Sequence, residues 1–197
     1  MNQGIATKSL TGEVRISYQH LINPNKDDLY MATILISKTD VATYNDLISS
    51  RDAAYEQGVK NKWNGSRPQM RYPLIYDGDG VRPSGEPFGP ECKGHWVLTA
   101  SSKQKPQCVH ISNIHSELLP TDVYSGMYAR VTVNFYPFDV NGNRGVGCGL
   151  GNVCKTRDGE PLSGRANAES DFADLEQAQP SQPAAAPRIN PITGQPM

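Results

Sequence analysis

The 197-residue chain has no run of about 18 apolar residues of the kind that crosses a membrane as a helix. Its first residues, MNQGIATKSL, lack the basic start and apolar stretch of a secretory signal. Both absences lead to the expectation of a soluble, intracellular protein with no membrane partner. Cysteine is scarce: Cys92, Cys108, Cys148 and Cys154 form no CxxC pair, and His20, His95, His110 and His115 do not stand beside them at metal-ligand spacing. In a reducing compartment such cysteines stay as thiols and behave as small apolar groups. The sequence also has no GxxxxGK[ST] phosphate loop, no GxSxG elbow and no HExxH pair. Asp77-Gly78-Asp79-Gly80 opens like a calcium loop, but the third acidic ligand and the closing glutamate are missing, so it reads as a turn. The expectation is a protein that is not an enzyme and needs no cofactor or metal.

Net charge is only −1, yet it is unevenly spread. Through Arg165 there are 18 Lys and Arg against 16 Asp and Glu; beyond it Arg188 stands against Glu169, Asp171, Asp174 and Glu176. A mildly basic body thus precedes an acidic tail. Such a tail is either an ordinary solvated segment or a competitor for a basic groove. Residues 177–197 carry no aromatic side chain and are rich in Pro, Gln and Ala, a composition that cannot bury enough apolar surface to order a chain. The division expected is a domain over 1–165 and a disordered tail over 166–197. Phe172 and Leu175 among the acids make a candidate dock for a phage or host replication protein.

Within the body, residues alternate from Leu10 to Tyr18, with Val14, Ile16 and Tyr18 expected on one face. Leu29–Ser37 is almost wholly apolar and reads as a strand buried on both sides. A helix follows, capped by Thr39 or Asp40, with Val41, Tyr44, Ile48, Tyr55 and Val59 as its apolar stripe and Asn64-Gly65 as its end. Residues 64–94 are rich in Gly and Pro and predict a long irregular excursion, the kind of loop that tends to be functional. Strands are expected at His95–Ser101 and Cys108–Ile111. The clearest runs from Met127 to Tyr136, with Ala129, Val131, Val133 and Phe135 on one face and Tyr128, Arg130, Thr132, Asn134 and Tyr136 on the other. Asn141-Gly142 signals a hairpin. In the returning strand Gly145, Gly147, Gly149 and Gly151 alternate, which marks either a bend or a close backbone approach. One helix among segregated strands argues for a small barrel, and a five-stranded OB barrel fits the inventory.

The positive functional signal is basic residues interleaved with aromatics. The stretch 60–72 carries Lys60, Lys62, Arg67 and Arg71 with Trp63 and Tyr72 and no acid. Arg82 lies further along the excursion, Lys103 and Lys105 form a second cluster, and Tyr128, Arg130 and Tyr136 share the polar face of the best strand. Single-stranded nucleic acid offers phosphates to cations and unstacked base faces to aromatic rings, so this pairing suits it irrespective of sequence. Trp63 is read either as such a contact or as the end of the helix's apolar stripe; Trp96 reads as core.

Several stretches resemble the phage-encoded single-stranded-DNA-binding proteins with an OB fold: TGEVRISY (11–18), YDGDGVRP (76–83), GHWVLTASSKQKP (94–106), YSGMYARVTVNFYPFDVNGNRGVGCGLGNV (124–153) and DGEPLSGRANAESDFAD (158–174). Together they span roughly residues 10–175. The resemblance implies a mainly β, OB-like barrel that coats single-stranded DNA during replication or recombination in the cytoplasm of an infected bacterium. The competing readings are an annealing chaperone that also holds double-stranded DNA, a metal-dependent nuclease built on Asp77 and Asp79, and a virion protein.

Overall fold

A computed structural model describes residues 6–162. The strands are β1 (Lys8–Leu10), β2 (Val14–His20), β3 (Tyr30–Ser37), β4 (Ile75–Asp77), β5 (His95–Ser102), β6 (Cys108–His110), β7 (Asn113–Glu117), β8 (Tyr128–Val140) and β9 (Asn143–Arg157), with one α-helix, α1 (Val41–Asn61). Successive pairings β2–β3, β3–β5, β5–β9, β9–β8 and β8–β2 close a ring of five strands. All are antiparallel except β5–β9, which closes the ring through the parallel pair Ser101–Gly149. That order is the five-stranded closure expected of an OB barrel. The expected tail, 166–197, lies outside the described residues.

The core follows from the alternation in the strands. Ile34, Leu98, Val131, Val133 and Phe135 point into the ring and are fully or almost fully buried. The β8–β9 hairpin turns on Asn141 and Gly142, whose φ of 52° and 79° give the right-handed strand twist a two-residue connection. Cys108 and Cys148 are buried, and burial pushes their thiols up to about 11 and about 12. No helix among the described residues is long and apolar enough to cross a membrane.

Three elements depart from the sequence reading. The expected strand Leu10–Tyr18 breaks at Thr11-Gly12 because the chain must seat the helix N-terminus. Gly12 N–H donates to Thr43 Oγ (2.8 Å), and a Cβ on Gly12 would stand 2.6 Å from the capping Asp40 carboxylate. The apolar stripe of α1 is also rotated. Val41 is 58% exposed, while Leu47, Ser50, Ala53, Ala54, Gly58 and Val59 are buried and Tyr44, Ile48 and Tyr55 flank them. A helix held close to a sheet buries its small residues and leaves the bulky ones to its sides. Finally, β2 carries a bulge between Ser17 and His20, with Tyr18 at φ 42°. The extra residue reverses the alternation. Ser17, though buried, keeps the outer face of its partner Thr33, and Tyr18 beside it is 61% exposed instead of joining Val14 and Ile16.

The 64–94 excursion does not wander. Ile75–Asp77 pairs with β5, and the segment folds onto the outer face of β3 and β5. There Leu35, Cys92 and Val97 form a second small apolar cluster with Tyr76 and Phe88. Asp77 and Asp79 both hold Lys38, at 2.5 and 2.6 Å, and Gly78 N–H donates to His95 O. A Cβ on Gly78 would lie 2.1 Å from the Cys92 carbonyl, so only glycine fits. The calcium-like motif is therefore a clasp that pins the excursion to the barrel. On its outer face β3 is covered at Leu35, as its composition predicts, while Thr33 stays half-buried.

Candidate nucleic-acid interface

Two connected recesses lie on the outer surface of the ring. The first, about 400 Å³, is lined by Tyr18, Thr33, Tyr76, Arg82, Phe88 and Thr99 among others. The second, about 550 Å³, is lined by Arg71, Tyr72, Leu74, Phe138, Arg144, Gly145 and Gly147, and shares Tyr76 and Thr99 with the first. Together they make a trough that crosses the β3–β5 face and reaches the β8–β9 hairpin. In the floor, Thr33 Oγ and Thr99 Oγ stand 3.5 Å apart. In the wall, Tyr76 and Phe88 lie with ring centroids 6.1 Å apart, and burial raises the Tyr76 phenol above its ordinary pKa.

The alternating glycines of β9 decide how the hairpin end is built. Tyr136 pairs with Gly147 and Phe138 with Gly145. A Cβ on Gly147 would stand 2.6 Å from Tyr136 Cζ, and one on Gly145 would stand 2.9 Å from Phe138 Cζ. The rings of β8 lie across the bare backbone of β9. Tyr136, 44% exposed, thus rests on a glycine floor with ring surface open to solvent. Gly149 also meets the Tyr136 ring, while Gly151 makes room for Thr132. The glycines make room for side chains of the neighbouring strand, Phe138, Tyr136 and Thr132.

The guanidinium groups divide sharply. Arg15, Arg51, Arg67, Arg130, Arg144 and Arg157 each donate to a carboxylate or a backbone carbonyl. Arg71 and Arg82 stack on Tyr72 and Phe88, at 5.1 and 5.4 Å, and their side chains donate to no described residue. Arg82 Nε is buried without a partner among them. Both line the trough.

A family model described as Enterobacter phage Enc34, ssDNA-binding protein, matches residues 7–182 of the chain. The chain belongs to that family. It is a family of phage single-stranded-DNA-binding proteins, not of enzymes. The solved single-stranded-DNA-binding protein from bacteriophage Enc34 superposes with a TM-score of 0.66 at 22% identity, covering 84% of this chain and 90% of that one. The same protein in complex with ssDNA gives 0.66, over 80% and 90%. The single-stranded-DNA-binding protein gp2.5 of bacteriophage T7 gives 0.54 at 12% identity, over 91% and 98%. Protein p50 of Acyrthosiphon pisum secondary endosymbiont phage 1 is 28% identical over 181 residues, 84% of this chain and 92% of that protein.

On this Enc34-family scaffold the residues singled out from the sequence separate into groups. Arg71 and Arg82 line the trough, and Tyr136 borders it above Gly147. Trp63 is a correction: it is fully buried, its Nε1 donates to Phe138 O (3.0 Å), and its ring covers Gly58. It ends the helix stripe in the core and has no surface to offer a base. Tyr128 lies outside the trough, and the Arg157 guanidinium sits 3.4 Å from its ring centroid. Arg130 is exposed, with Nε donating to Thr11 O. Arg67 is held by both oxygens of Glu56, at 2.8 and 2.9 Å, which lowers the pKa of that carboxyl. Lys60 and Lys62 are exposed at the end of α1, and Lys103 and Lys105 in the β5–β6 connection. Neither cluster lines the trough.

Tyr18, Tyr76, Phe88, Phe138 and Arg144 are trough residues that sequence reasoning missed. For Phe138 a signal was present. Counting back across the Asn141-Gly142 turn sets Phe138 opposite Gly145 and Tyr136 opposite Gly147, two aromatic–glycine pairs in register. For Tyr18 there was none, since a bulge leaves no mark in the alternation.

Proposed function

We propose that the protein coats single-stranded DNA, largely irrespective of sequence, during phage DNA replication or recombination in the cytoplasm of an infected bacterium. The observation that carries this reading is the pair Arg71 and Arg82: two guanidinium groups without described partners, each laid on an aromatic ring, in one trough floored by hydroxyls and glycine. In such a groove guanidinium groups meet phosphates or base edges while Tyr136 and Phe138 offer ring faces to unstacked bases. Family membership and the likeness to the Enc34 protein solved with ssDNA support it. Lys103, Lys105 and Arg130 extend the cationic surface beside β9, and Lys60 and Lys62 extend it beside the 66–74 segment.

A salt-resolved titration with oligo-dT tests the proposal. Log K falls against log salt with a slope of about −0.7 per neutralised phosphate on single strands, and roughly three to six contacts are expected. Arg71→Ala should lessen that slope by about 0.7. A flat salt response would remove the electrostatic half of the model. Tighter binding to a matched duplex would favour the annealing protein instead. The nuclease reading loses its basis in Asp77 and Asp79, since both carboxylates clasp Lys38.

A further inference from the structure

We infer that the recess between Tyr18 and Tyr76 selects one base of the bound strand and prefers guanine. The inference rests on the single-stranded-DNA reading above and adds a discrimination that a uniform coat lacks.

The four strands β2, β3, β5 and β4 lie side by side in that order. Tyr18 and Tyr76 therefore rise from opposite sides of a floor made by Thr33 and Thr99. Three strand spacings of about 4.8 Å set those walls about 14 Å apart at the backbone, and the side chains narrow the gap. The recess holds about 400 Å³, a size that encloses a small planar group. Tyr18 reaches it only through the bulge and a φ of 42°, a backbone state that non-glycine residues rarely hold and that concentrates at ligand clamps.

The chemistry of the recess is lopsided. The floor hydroxyls serve as donor or acceptor alike and do not discriminate. Arg82 supplies donors only, from a planar fork held against Phe88, and none of them meets a described acceptor. Guanine presents two adjacent acceptors, O6 and N7, to such a fork. Adenine sets a donor beside its N7, and thymine has no adjacent pair of acceptors. The adjacent pair of cytosine, N3 and O2, includes the oxygen next to its bond to the sugar, whereas O6 and N7 lie on the edge of guanine remote from the sugar, the edge that enters a recess first. A phosphate also matches the fork, but Arg82 sits in an aromatic recess, while Arg71 and Arg144 line the wider part of the trough where a backbone can pass.

The test is competition binding of the full chain to oligo-dT carrying a single dG, moved through each position, with dA and dC counterparts. One dG should raise affinity about tenfold, or about 1.4 kcal/mol, in at least one register. The gain should vanish with 7-deazaguanine, which lacks N7, and persist with inosine, which keeps O6 and N7. Arg82→Met, checked for folding by circular dichroism, should erase the difference between dG-bearing and plain oligo-dT. Equal binding of all four bases, with salt-dependent binding of oligo-dT intact, overturns the base pocket and leaves the coating function standing. Failure to bind any oligonucleotide overturns that function itself. A dG preference that survives in Arg82→Met takes Arg82 out of the base contact, and a uniform loss of affinity with a lessened salt slope assigns it to phosphate; either overturns the inference.

Discussion

Gly147→Ala isolates the aromatic platform with one methyl group. The added carbon would lie 2.6 Å from Tyr136 Cζ, 2.8 Å from Oη and 2.9 Å from Cε2. These are the far end of a flexible side chain, so the ring swings aside and the strand pair stays. Alanine replaces a glycine inside a strand, which by itself favours the fold by about 0.5–1 kcal/mol. Melting behaviour should therefore hold or improve while binding falls. A lost base–aromatic stack costs about 1–3 kcal/mol, or roughly 5- to 150-fold in Kd. The assay is oligo-dT titration beside thermal melting for Gly147→Ala, Tyr136→Ala and the double variant. Because all three remove one ring from one place, the double variant should bind no worse than Tyr136→Ala. Additive losses, or a well-folded Gly147→Ala with full affinity, would refute the platform.

Trp63→Ala should cost about 3–5 kcal/mol in denaturant unfolding, as expected for a large core side chain; unchanged stability with weakened DNA binding would return Trp63 to the surface. Asp77 and Asp79 have pKa values lowered first by their hydrogen bonds to Lys38. A lowered carboxyl stabilises the fold above its ordinary value, 3.8 here, and that contribution is lost as pH falls through the lowered values. The wild type should therefore lose more stability than Lys38→Met between about pH 6 and about pH 3, and parallel acid curves would show that the clasp contributes nothing. Removing residues 166–197 takes away a net charge of −3. If that segment competes for the trough, truncation tightens oligo-dT binding most at low salt, where screening is weak; equal affinities at two salt concentrations would make it a spacer.

The barrel strands were legible because half-buried strands alternate, and Val131, Val133 and Phe135 keep that rhythm without interruption. The helix was legible from its cap and its end, but not its buried face. Hydrophobicity alone favours Val41 and Tyr44, whereas closeness to the sheet favours Ser50 and Ala54, and the Trp63 ring requires Gly58. The trough was half visible. Arg71 and Arg82 stand in stretches free of competing apolar pattern, so their charge was the signal. Trp63 misled because a tryptophan beside lysines looks the same whether its ring turns inward or outward. Tyr76 and Phe88 come from an excursion whose fold depends on Asp77, Asp79 and Lys38 meeting across some 40 residues, which no local pattern announces. β7 was missed because its five residues are all exposed and carry no periodicity.

β3 is packed against the core through Ile34 and Ile36 and against the excursion through Leu35. A strand gripped from both sides has no slack, so the Thr33 and Thr99 floor is the least adjustable part of the interface. Tyr18, Tyr72, Arg82 and Phe88, by contrast, hang on a bulge and on irregular chain that single substitutions can reshape without touching the barrel. Variation in what the protein grips will therefore be written in these walls, while the surface beneath them stays the same from one variant to the next.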